Sequence, residues 1–467
     1  MDSKKQSVAI IGAGITGLPI ALEFCKQNFQ VTVLEKNHFV GGVATSILNN
    51  GYVIDIGPHY VTLPNESDIT DEINELLGKE NIIILPSSIR NSRKAFFRNK
   101  MWDEFPSIGQ LVKSLNFTSK INFGIEFFII KILSCLGKYK GETTENYLVS
   151  NYGRFLYNNW FQPYYDSLYH NVDIPKKHVE NKFPPLTFQK MLKLFKKTKK
   201  TKNPISINSP KYFNCYFKGG MISLIQSIKE KIENKGGKII TNANIKEIYH
   251  EGKKKIIFSV DELQQEIDVD LIIYAMPLTI AKKWFNTKLQ QKEETSSLNS
   301  IMVFLFIDKK LVFNNWIIDV FDKKINSWRI SQQSYLSNSI APKNKSLLNI
   351  EIRAKDEDSI WKLNDEDVYK IVCRELEQLK ILNLEKIEGY KIIKLRNVYP
   401  VNIKNNSEKE IKNLINSFEN EYAFGIEIDS VTLHKDDEDN ELENMPRLGG
   451  IFGAMRNAKN LVHKITN

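Results

Sequence analysis

A glycine-rich turn near the start of the chain constrains the fold more than any other feature. The apolar run Val8–Ile11 leads directly into Gly12-Ala13-Gly14-Ile15-Thr16-Gly17, and a helical pattern follows. A second apolar run, Val31–Leu34, ends on Glu35, at the spacing of about 20 residues that a dinucleotide-binding unit requires. Because strand, turn, helix and acid occur together, the sequence predicts a βαβ unit that binds a dinucleotide.

Each glycine of the turn has a physical role in such a unit. Gly12 permits the tight turn, Gly14 lets a pyrophosphate approach the backbone, and Gly17 lets the helix pack closely on the strand. The helix N-terminus offers N–H groups to phosphates, and Glu35 accepts hydrogen bonds from ribose hydroxyls, which favours FAD or NAD over a 2′-phosphorylated cofactor. The predicted cofactor contacts in this unit are Gly12, Ala13, Gly14, Ile15, Thr16, Gly17, Glu35 and Lys36.

Composition narrows the class of protein. A length of 467 residues predicts about three domains. The four cysteines are far apart and form no Cys-x-x-Cys pair, so we expect neither a metal site nor a disulfide framework. Residues 1–8 are too polar for the apolar region of a signal peptide. We therefore expect a cytoplasmic protein.

Two segments raise the question of a membrane. The apolar run 123–136 is interrupted by Glu126 and Lys131 and is shorter than the roughly 20 residues of a membrane span. It predicts a buried helix, with a monotopic membrane contact as the alternative, so the expected location is cytoplasmic or peripheral to a membrane. The net charge of +10 includes seven lysines from Lys190 to Lys202. These lysines either form a solvated loop or contact an anionic membrane or an anionic substrate. No aromatic-rich basic motif indicates a nucleic-acid partner.

The residues after Glu35 carry a family resemblance. The string EKNHFVGGVATSILNNGYVIDIGPHY, residues 35–60, resembles the N-terminal signature of the FAD-dependent amine oxidase and protoporphyrinogen oxidase superfamily, which also includes UDP-galactopyranose mutase. The resemblance implies FAD as the cofactor and a backbone that approaches it closely at the glycine pair. This chain has Val43 where the family often has an arginine. The contacts implied here are Gly41, Gly42, Val43, Gly57, Pro58 and His59.

Later segments continue the resemblance in pieces. Ile245 begins a strand that in this family holds the adenine edge, and Pro277 ends a strand beside the cofactor. After Gly425 the family continues with arginine or aspartate and another glycine, whereas this chain continues with Ile426-Glu427. Gly450 begins the last predicted helix. The resemblance implies cofactor contacts at all four positions, with tight packing as the alternative role of Gly425 and Gly450.

The order of these segments predicts an α/β fold with two domains. The first is a Rossmann-like FAD-binding domain, a parallel sheet with an attached β-meander, made of residues 1–63, 210–285 and 420–467. The second is an inserted α+β substrate domain, made of 64–209, which is mainly helical, and 286–419, a mixed sheet. The aromatic segment Tyr147–Tyr169 indicates either a helical core or an aromatic pocket.

The chemistry that the resemblance implies is an FAD-dependent oxidation in which a small or lipophilic substrate gives a hydride to flavin. The alternative is a non-redox, flavin-dependent nucleotide-sugar mutase. His59 is a candidate for proton transfer, although its backbone alone could be what matters. Arg329 and Arg396 either bind a diphosphate, as arginines in comparable mutase segments do, or lie on a solvated strand face. The substrate, electron acceptor and oligomeric state stay open.

Overall fold

The computed structural model describes most of the chain. The described residues are 5–135, 143–169, 179, 183, 212–250, 252–276, 280, 284, 297–400, 415–416, 420–423 and 450–467. Two predicted cofactor contacts, Pro277 and Gly425, and the lysine-rich run 190–202 lie outside these residues.

The strands of the described residues fall into five sheets. In chain order they are β1 (Ser7–Ile11), β2 (Gln30–Leu34), β3 (Ser46–Asn49), β4 (Tyr52–Asp55), β5 (Val61–Pro64), β6 (Ile82–Leu85), β7 (Arg93–Phe97), β8 (Lys100–Trp102), β9 (Tyr212–Phe217), β10 (Lys238–Ile240), β11 (Asn244–Tyr249), β12 (Lys254–Val260), β13 (Leu263–Val269), β14 (Leu271–Tyr274), β15 (Ser297–Ile307), β16 (Ile317–Phe321), β17 (Ser327–Gln332), β18 (Ser346–Ala354), β19 (Ile387–Pro400) and β20 (Glu421–Ala423).

The α-helices of the described residues lie between these strands, apart from the last one, which follows β20. They are α1 (Gly17–Lys26), α2 (Asp68–Leu77), α3 (Ile108–Ser114), α4 (Phe117–Cys135), α5 (Thr144–Tyr152), α6 (Arg154–Leu156), α7 (Gln162–Tyr169), α8 (Ile222–Asn234), α9 (Ser359–Lys362), α10 (Asp365–Gln378) and α11 (Ile451–Thr466). A π-helical turn, Tyr157–Phe161, joins α6 to α7.

The predicted parallel sheet is confirmed, with the strand order β10-β2-β1-β14-β20. Its central strand β1 is apolar at successive positions because both faces are covered. Val8 and Ile10 pack in the cluster that contains α1, α8 and α11, whereas Ala9 and Ile11 pack towards the antiparallel sheet β11-β12-β13. The first glycine turn therefore lies at the carboxyl end of a strand that is buried on both sides.

The largest sheet has seven strands in the order β19-β15-β18-β17-β16-β7-β8. Alternate side chains of β15, β17 and β18 point to opposite faces, because the side-chain period of a strand is two residues. One face, with Ile301, Ile330 and Ile350, packs against α9 and α10. The other face, with Met302, Phe304 and Leu347, packs against β4. This second face is the one that meets the segment following the glycine pair.

A helical layer made of α3 to α7 covers one end of the seven-stranded sheet. The aromatic segment predicted as either core or pocket lies here, and Tyr152, Trp160 and Phe161 are buried in a cluster with Phe97 and Phe123. In the described residues these rings therefore build a core. None of the described helices is both long and apolar enough to cross a lipid bilayer.

The remaining two sheets are small. β3 pairs with β4, and β9 lies between β5 and β6. β9 lies in a segment that the sequence assigns to the cofactor domain, and β6 lies in a segment assigned to the substrate domain. The pairing of β9 with β6 therefore connects the two segments. The predicted division of the chain into two domains stays a prediction.

Candidate cofactor and active site

Two glycines of the first turn are required by the protein's own packing. Gly12 has a φ of +106°, and its N–H donates to the Leu34 carbonyl at 2.8 Å. A Cβ at Gly12 would lie 2.6 Å from the Ala275 carbonyl oxygen, and one at Gly17 would lie 1.9 Å from the Gly12 carbonyl oxygen. Both positions exclude any larger residue because the turn, strand β14 and helix α1 meet there.

Gly14 differs from its two neighbours. A Cβ built on Gly14 meets no other atom of the described residues within 4 Å, so folding does not demand glycine at this position. The open space lies beside the N-terminus of α1, where Thr16 is the N-cap residue but makes no capping hydrogen bond. The Thr16 hydroxyl is buried and has no hydrogen-bond partner in the described part of the chain. An open backbone at a helix N-terminus and a buried hydroxyl without a partner among the described residues fit the pyrophosphate of FAD.

The glycine pair lies against this first turn. The Gly41 N–H donates to the Ala13 carbonyl at 2.7 Å, and Gly14 and Gly41 form a parallel β-bridge. Gly42 has a φ of +58°, and a Cβ there would lie 3.5 Å from the Gly14 Cα. Val43 is 48% exposed. The structure therefore brings together two glycine loops that the sequence separates, around one open space.

The predicted ribose-binding acid is held in a fixed position. Glu35 is buried, and its carboxylate accepts hydrogen bonds from the Ala13 N–H and from both the backbone and side-chain N–H groups of Asn37, each at 2.8 Å. Asn37 was not predicted from the sequence as part of the site. Its position two residues after the acid was the local signal that could have indicated this contact. The Lys36 side chain is exposed.

Two further predicted contacts have different surroundings. Ile245 is buried in β11, next to a bulge, and the preceding Ala243 N–H donates to the Glu35 carbonyl at 2.8 Å. This bond ties the start of β11 to the predicted adenosine end of the site. Gly450 has a φ of +78° and is the N-cap residue of α11, and a Cβ there would meet no described atom within 4 Å.

A buried carboxylate anchors the segment that follows the glycine pair along the chain. Asp55 is 2% exposed, and it accepts hydrogen bonds from Ser46 Oγ at 2.5 Å, Tyr216 O–H at 2.5 Å, Gln333 Nε2 at 2.9 Å and Met221 N–H at 3.2 Å. Burial raises the pKa of Asp55, and the hydrogen bonds from Ser46 and Tyr216 oppose that rise. The Asp55 and Gln333 contacts escaped the sequence reasoning because their partners are remote along the chain.

The Gly57-Pro58-His59 segment follows directly. Gly57 has a φ of +110°, and the His59 carbonyl accepts a hydrogen bond from Gln333 Nε2 at 3.2 Å. The His59 ring is partly buried, and its Nδ1 atom has no hydrogen-bond partner among the described residues. Burial lowers the pKa of His59, and the negative charges of Asp55 and Glu351 only partly offset this. A neutral ring with one unpaired nitrogen can accept or donate a proton.

The two predicted anion-binding arginines are not brought together. Arg329 lies opposite Glu351 in the β17–β18 pairing, on the sheet face that meets His59, and its Nε donates to Asp319 at 2.9 Å. The guanidinium carbon of Arg396 lies 5.4 Å from the centroid of the Trp361 ring. Arg396 is therefore on the sheet face covered by α9 and α10, and it is exposed. The strand register therefore places the two guanidinium groups on opposite faces of one sheet.

One more polar residue belongs to the face that meets His59. Asn349 is 2% exposed, and neither its amide oxygen nor its amide nitrogen has a hydrogen-bond partner in the described residues. It lies opposite Phe304 and Ser331 in the sheet. A buried amide without partners is costly, so this position indicates a group for a ligand or a bound water. Among the described residues, no group of histidine, cysteine and acidic side chains is arranged to hold a metal ion.

Comparison with known proteins agrees with this geometry. The sequence model of the family described as flavin containing amine oxidoreductase matches residues 15–390. The chain is 27% identical over 306 residues to coproporphyrinogen III oxidase of Staphylococcus aureus (strain NCTC 8325 / PS 47). The aligned region covers 60% of this chain and 62% of the relative. It is also 38% identical over 86 residues to phytoene desaturase of Fusarium fujikuroi. This aligned region covers 18% of this chain and 15% of the relative. The chain thus spans only part of the length of these curated relatives.

Solved structures show the same fold at low sequence identity. Reduced UDP-galactopyranose mutase superimposes with a TM-score of 0.72 at 13% identity, covering 99% of this chain and 96% of the other. A protein of Exiguobacterium sp. 255-15, provisionally named a protoporphyrinogen oxidase, superimposes with a TM-score of 0.67 at 16% identity, covering 99% of both chains. The glycine cradle, the overall fold and the match over residues 15–390 agree: the chain belongs to the flavin-containing amine oxidoreductases, a family of FAD-dependent oxidoreductase enzymes.

Proposed function

We propose that the chain is an FAD-dependent oxidoreductase that takes a hydride from a small or lipophilic substrate. One observation carries the proposal: the cradle around Gly14 and Gly42 leads through β3 and β4 to the segment Asp55–His59, which packs on the Met302 face of the seven-stranded sheet. A long cofactor and a substrate opposite its reactive end would fit this arrangement. The predicted FAD contacts beyond the first turn are part of the same proposal.

The residues of this chain would hold and orient the reactants. Bound FAD supplies the capacity to accept a hydride. Gly12, Gly14 and Glu35 would bind its adenosine and phosphate end. The Asp55 carboxylate holds the Gly57–His59 segment through Gln333, and the neutral His59 ring would accept or donate a proton at Nδ1.

The names of the curated relatives favour an apolar substrate. These relatives are named for the oxidation of coproporphyrinogen and the desaturation of phytoene. They support the dehydrogenation of a carbon–carbon or carbon–nitrogen bond in a lipophilic substrate, with the Asn349 amide as a polar contact.

The mutase alternative has weaker support in this chain. Its structural likeness to UDP-galactopyranose mutase is a likeness of fold. Arg329 and Arg396, the two residues predicted to grip a diphosphate, lie on opposite sheet faces, and Arg329 is already paired with Asp319. The pair therefore does not favour a nucleotide sugar.

A spectroscopic screen tests the proposal. The purified protein is loaded with FAD and mixed anaerobically with amines, tetrapyrrole precursors, polyenes and nucleotide sugars. Bleaching of the oxidised flavin band by a member of the first three classes is the expected result. Turnover of a nucleotide sugar only after dithionite reduction would replace the proposal with the mutase, and a protein that cannot take up FAD would overturn both.

A further inference from the structure

Helix α4 has an apolar surface on two sides. On one side, Phe123, Phe127 and Ile130 are buried against the helical layer. On the other side, six large apolar side chains are exposed. They form what we call the α4 face: Phe117 (78%), Ile121 (45%), Ile125 (55%), Phe128 (58%), Ile129 (49%) and Ile132 (48%).

The α4 face is a continuous stripe. At about 100° of rotation per residue, its six positions fall within an arc of roughly 120°. The other strongly exposed apolar side chains of the described residues, such as Leu48, Ile84 and Leu263, lie on separate strands. Scattered exposed residues need no partner, but a contiguous apolar stripe of this kind marks an interaction surface.

The charges around the α4 face are positive. Glu126 is the only acid within α4, and it is turned towards the protein, where its carboxylate accepts the Phe155 N–H at 2.8 Å. Lys120 has no ion-pair partner among the described residues. The sequence of α4 also contains Lys131, so the helix carries two lysines against this one acid.

We propose that the α4 face docks on the surface of a lipid bilayer that contains anionic lipids, with α4 parallel to the membrane plane. Exposed isoleucine and phenylalanine side chains would enter the interface between headgroups and acyl chains, and the lysines would contact lipid phosphates. The inward side of α4 stays packed on the protein, so the helix lies on the membrane and does not span it. The proposal does not depend on the reaction that the protein catalyses.

A second copy of the chain is a poorer occupant of this surface. In a symmetric dimer the same patch meets itself, so Lys120 and its neighbours would face like charges across the contact. Anionic headgroups instead complement these charges. The charge pattern therefore favours a lipid surface.

Vesicle flotation with the full, FAD-loaded chain tests the proposal. We expect the protein to float with vesicles of phosphatidylcholine and phosphatidylglycerol, and to bind more weakly to phosphatidylcholine alone and at high salt. The double variant Ile125→Glu/Phe128→Glu should lower the partition coefficient at least about tenfold. Lys120→Gln should lower it by up to about fivefold on anionic vesicles alone.

A matched control separates the α4 face from general surface charge. Leu48→Glu/Leu263→Glu makes the same change at two side chains that are 68% and 71% exposed, and it should float like the unsubstituted protein. Thermal unfolding checks that all variants fold. The proposal is overturned if the unsubstituted protein stays unbound, if both double variants lose binding equally, or if light scattering shows a dimer that Ile125→Glu/Phe128→Glu dissociates while vesicles bind neither protein.

Discussion

At the scale of single residues, Gly14 and Gly17 look alike in the sequence but have different roles. The space around Gly17 is filled by the protein, since its Cβ would lie 1.9 Å from the Gly12 carbonyl. No atom of the described residues fills the space around Gly14, so a bound ligand is what would exclude a side chain there. The motif alone predicts glycine at both positions, and only the packing shows which one belongs to the fold and which one to the cofactor.

This difference predicts opposite effects of the same substitution. Gly14→Ala should leave the apoprotein's free energy of unfolding unchanged within about 0.5 kcal/mol but weaken FAD binding at least about tenfold, because the methyl group would occupy the pyrophosphate position. Gly17→Ala, the control, should destabilise or prevent folding. Denaturant unfolding of the apoprotein and FAD titration measure the two effects. Normal FAD affinity of Gly14→Ala would show that the cofactor lies elsewhere.

His59 yields a prediction about pH. Because burial lowers the pKa of its ring, His59 should be neutral at neutral pH and become protonated only below the usual range of histidine. If Nδ1 accepts a proton, flavin reduction slows as the pH falls through this lowered pKa. His59→Gln should then remove that acidic limb and slow reduction by about a hundredfold at neutral pH. Stopped-flow measurement of the flavin reduction rate at several pH values tests this. An unchanged pH profile would show that His59 contributes through its backbone and not through its ring.

Asn349 is predicted to serve a ligand and not the fold. Asn349→Leu should leave stability unchanged or raise it by about 1 kcal/mol, because an unpaired buried amide is removed, while the Michaelis constant rises. Asn315 is a matched control, since it is also buried but its Nδ2 donates to the Ile317 carbonyl at 2.9 Å. Asn315→Leu should destabilise the protein. A comparable loss of stability in Asn349→Leu would indicate a structural amide bridged by water.

At the scale of elements, the edge strand β20 is tied to the β11–β13 sheet by a buried carboxylate. Glu421 lies 2.9 Å from His250 Nδ1 and 3.5 Å from Lys254 Nζ, and it accepts the Tyr274 hydroxyl at 3.1 Å. Burial alone would lower the pKa of His250, but the bonds to Glu421 and to the Trp284 carbonyl outweigh it, so the pKa is raised above 6.5.

The raised pKa sets the direction of a pH effect on stability. Protonated His250 stabilises the folded state fully below pH 6.5, and this contribution is lost as the pH rises through the folded-state pKa. His250→Gln should lower the free energy of unfolding by about 1–3 kcal/mol below pH 6.5 and flatten its decline at higher pH. His38→Gln, at an exposed histidine, is the control. Urea unfolding at several pH values measures this effect. If both variants kept the original dependence of the free energy of unfolding on pH, His250 would not be its cause.

The elements also show why the arginines were difficult to place from sequence. Arg329 and Arg396 each lie in a strand pattern, but the face of a strand residue depends on register, and a shift of one residue reverses it. β17 and β19 both carry register irregularities where they pair with β18 and β15. The sequence identified the strands, whereas the bulges and the pairing decided the faces.

At the scale of the whole molecule, the parallel sheet that carries the first glycine turn is built from distant parts of the chain. β1 and β2 come from the first segment, β14 from the middle, and β20 from near the C-terminus. Asp319 of β16 likewise pairs with both Arg93 of β7 and Arg329 of β17. A ligand that contacts several of these segments should stabilise the entire fold.

Removal of FAD should therefore lower the melting temperature of the whole protein. Adding FAD back at about 100 times its dissociation constant should restore roughly 2.7 kcal/mol of stability, since binding to the folded state alone shifts the equilibrium by mass action. Calorimetry of stripped and reloaded protein measures this. Gly14→Ala should gain less at the same FAD concentration, and an equal gain would show that the stabilisation does not arise at the cradle.

The residue pattern alone predicted the βαβ unit, because tight turns and close backbone approaches restrict the residue types within a few dozen positions. The resemblance of residues 35–60 to a known family then implied the second glycine loop, FAD and the family itself. Three-dimensional pairing decided the rest: the Gln333 bridge between Asp55 and His59, the unpaired Asn349 amide, the opposite faces of Arg329 and Arg396, and the exposed side of α4. These depend on strand register and on contacts between remote segments, and no local pattern encodes either one.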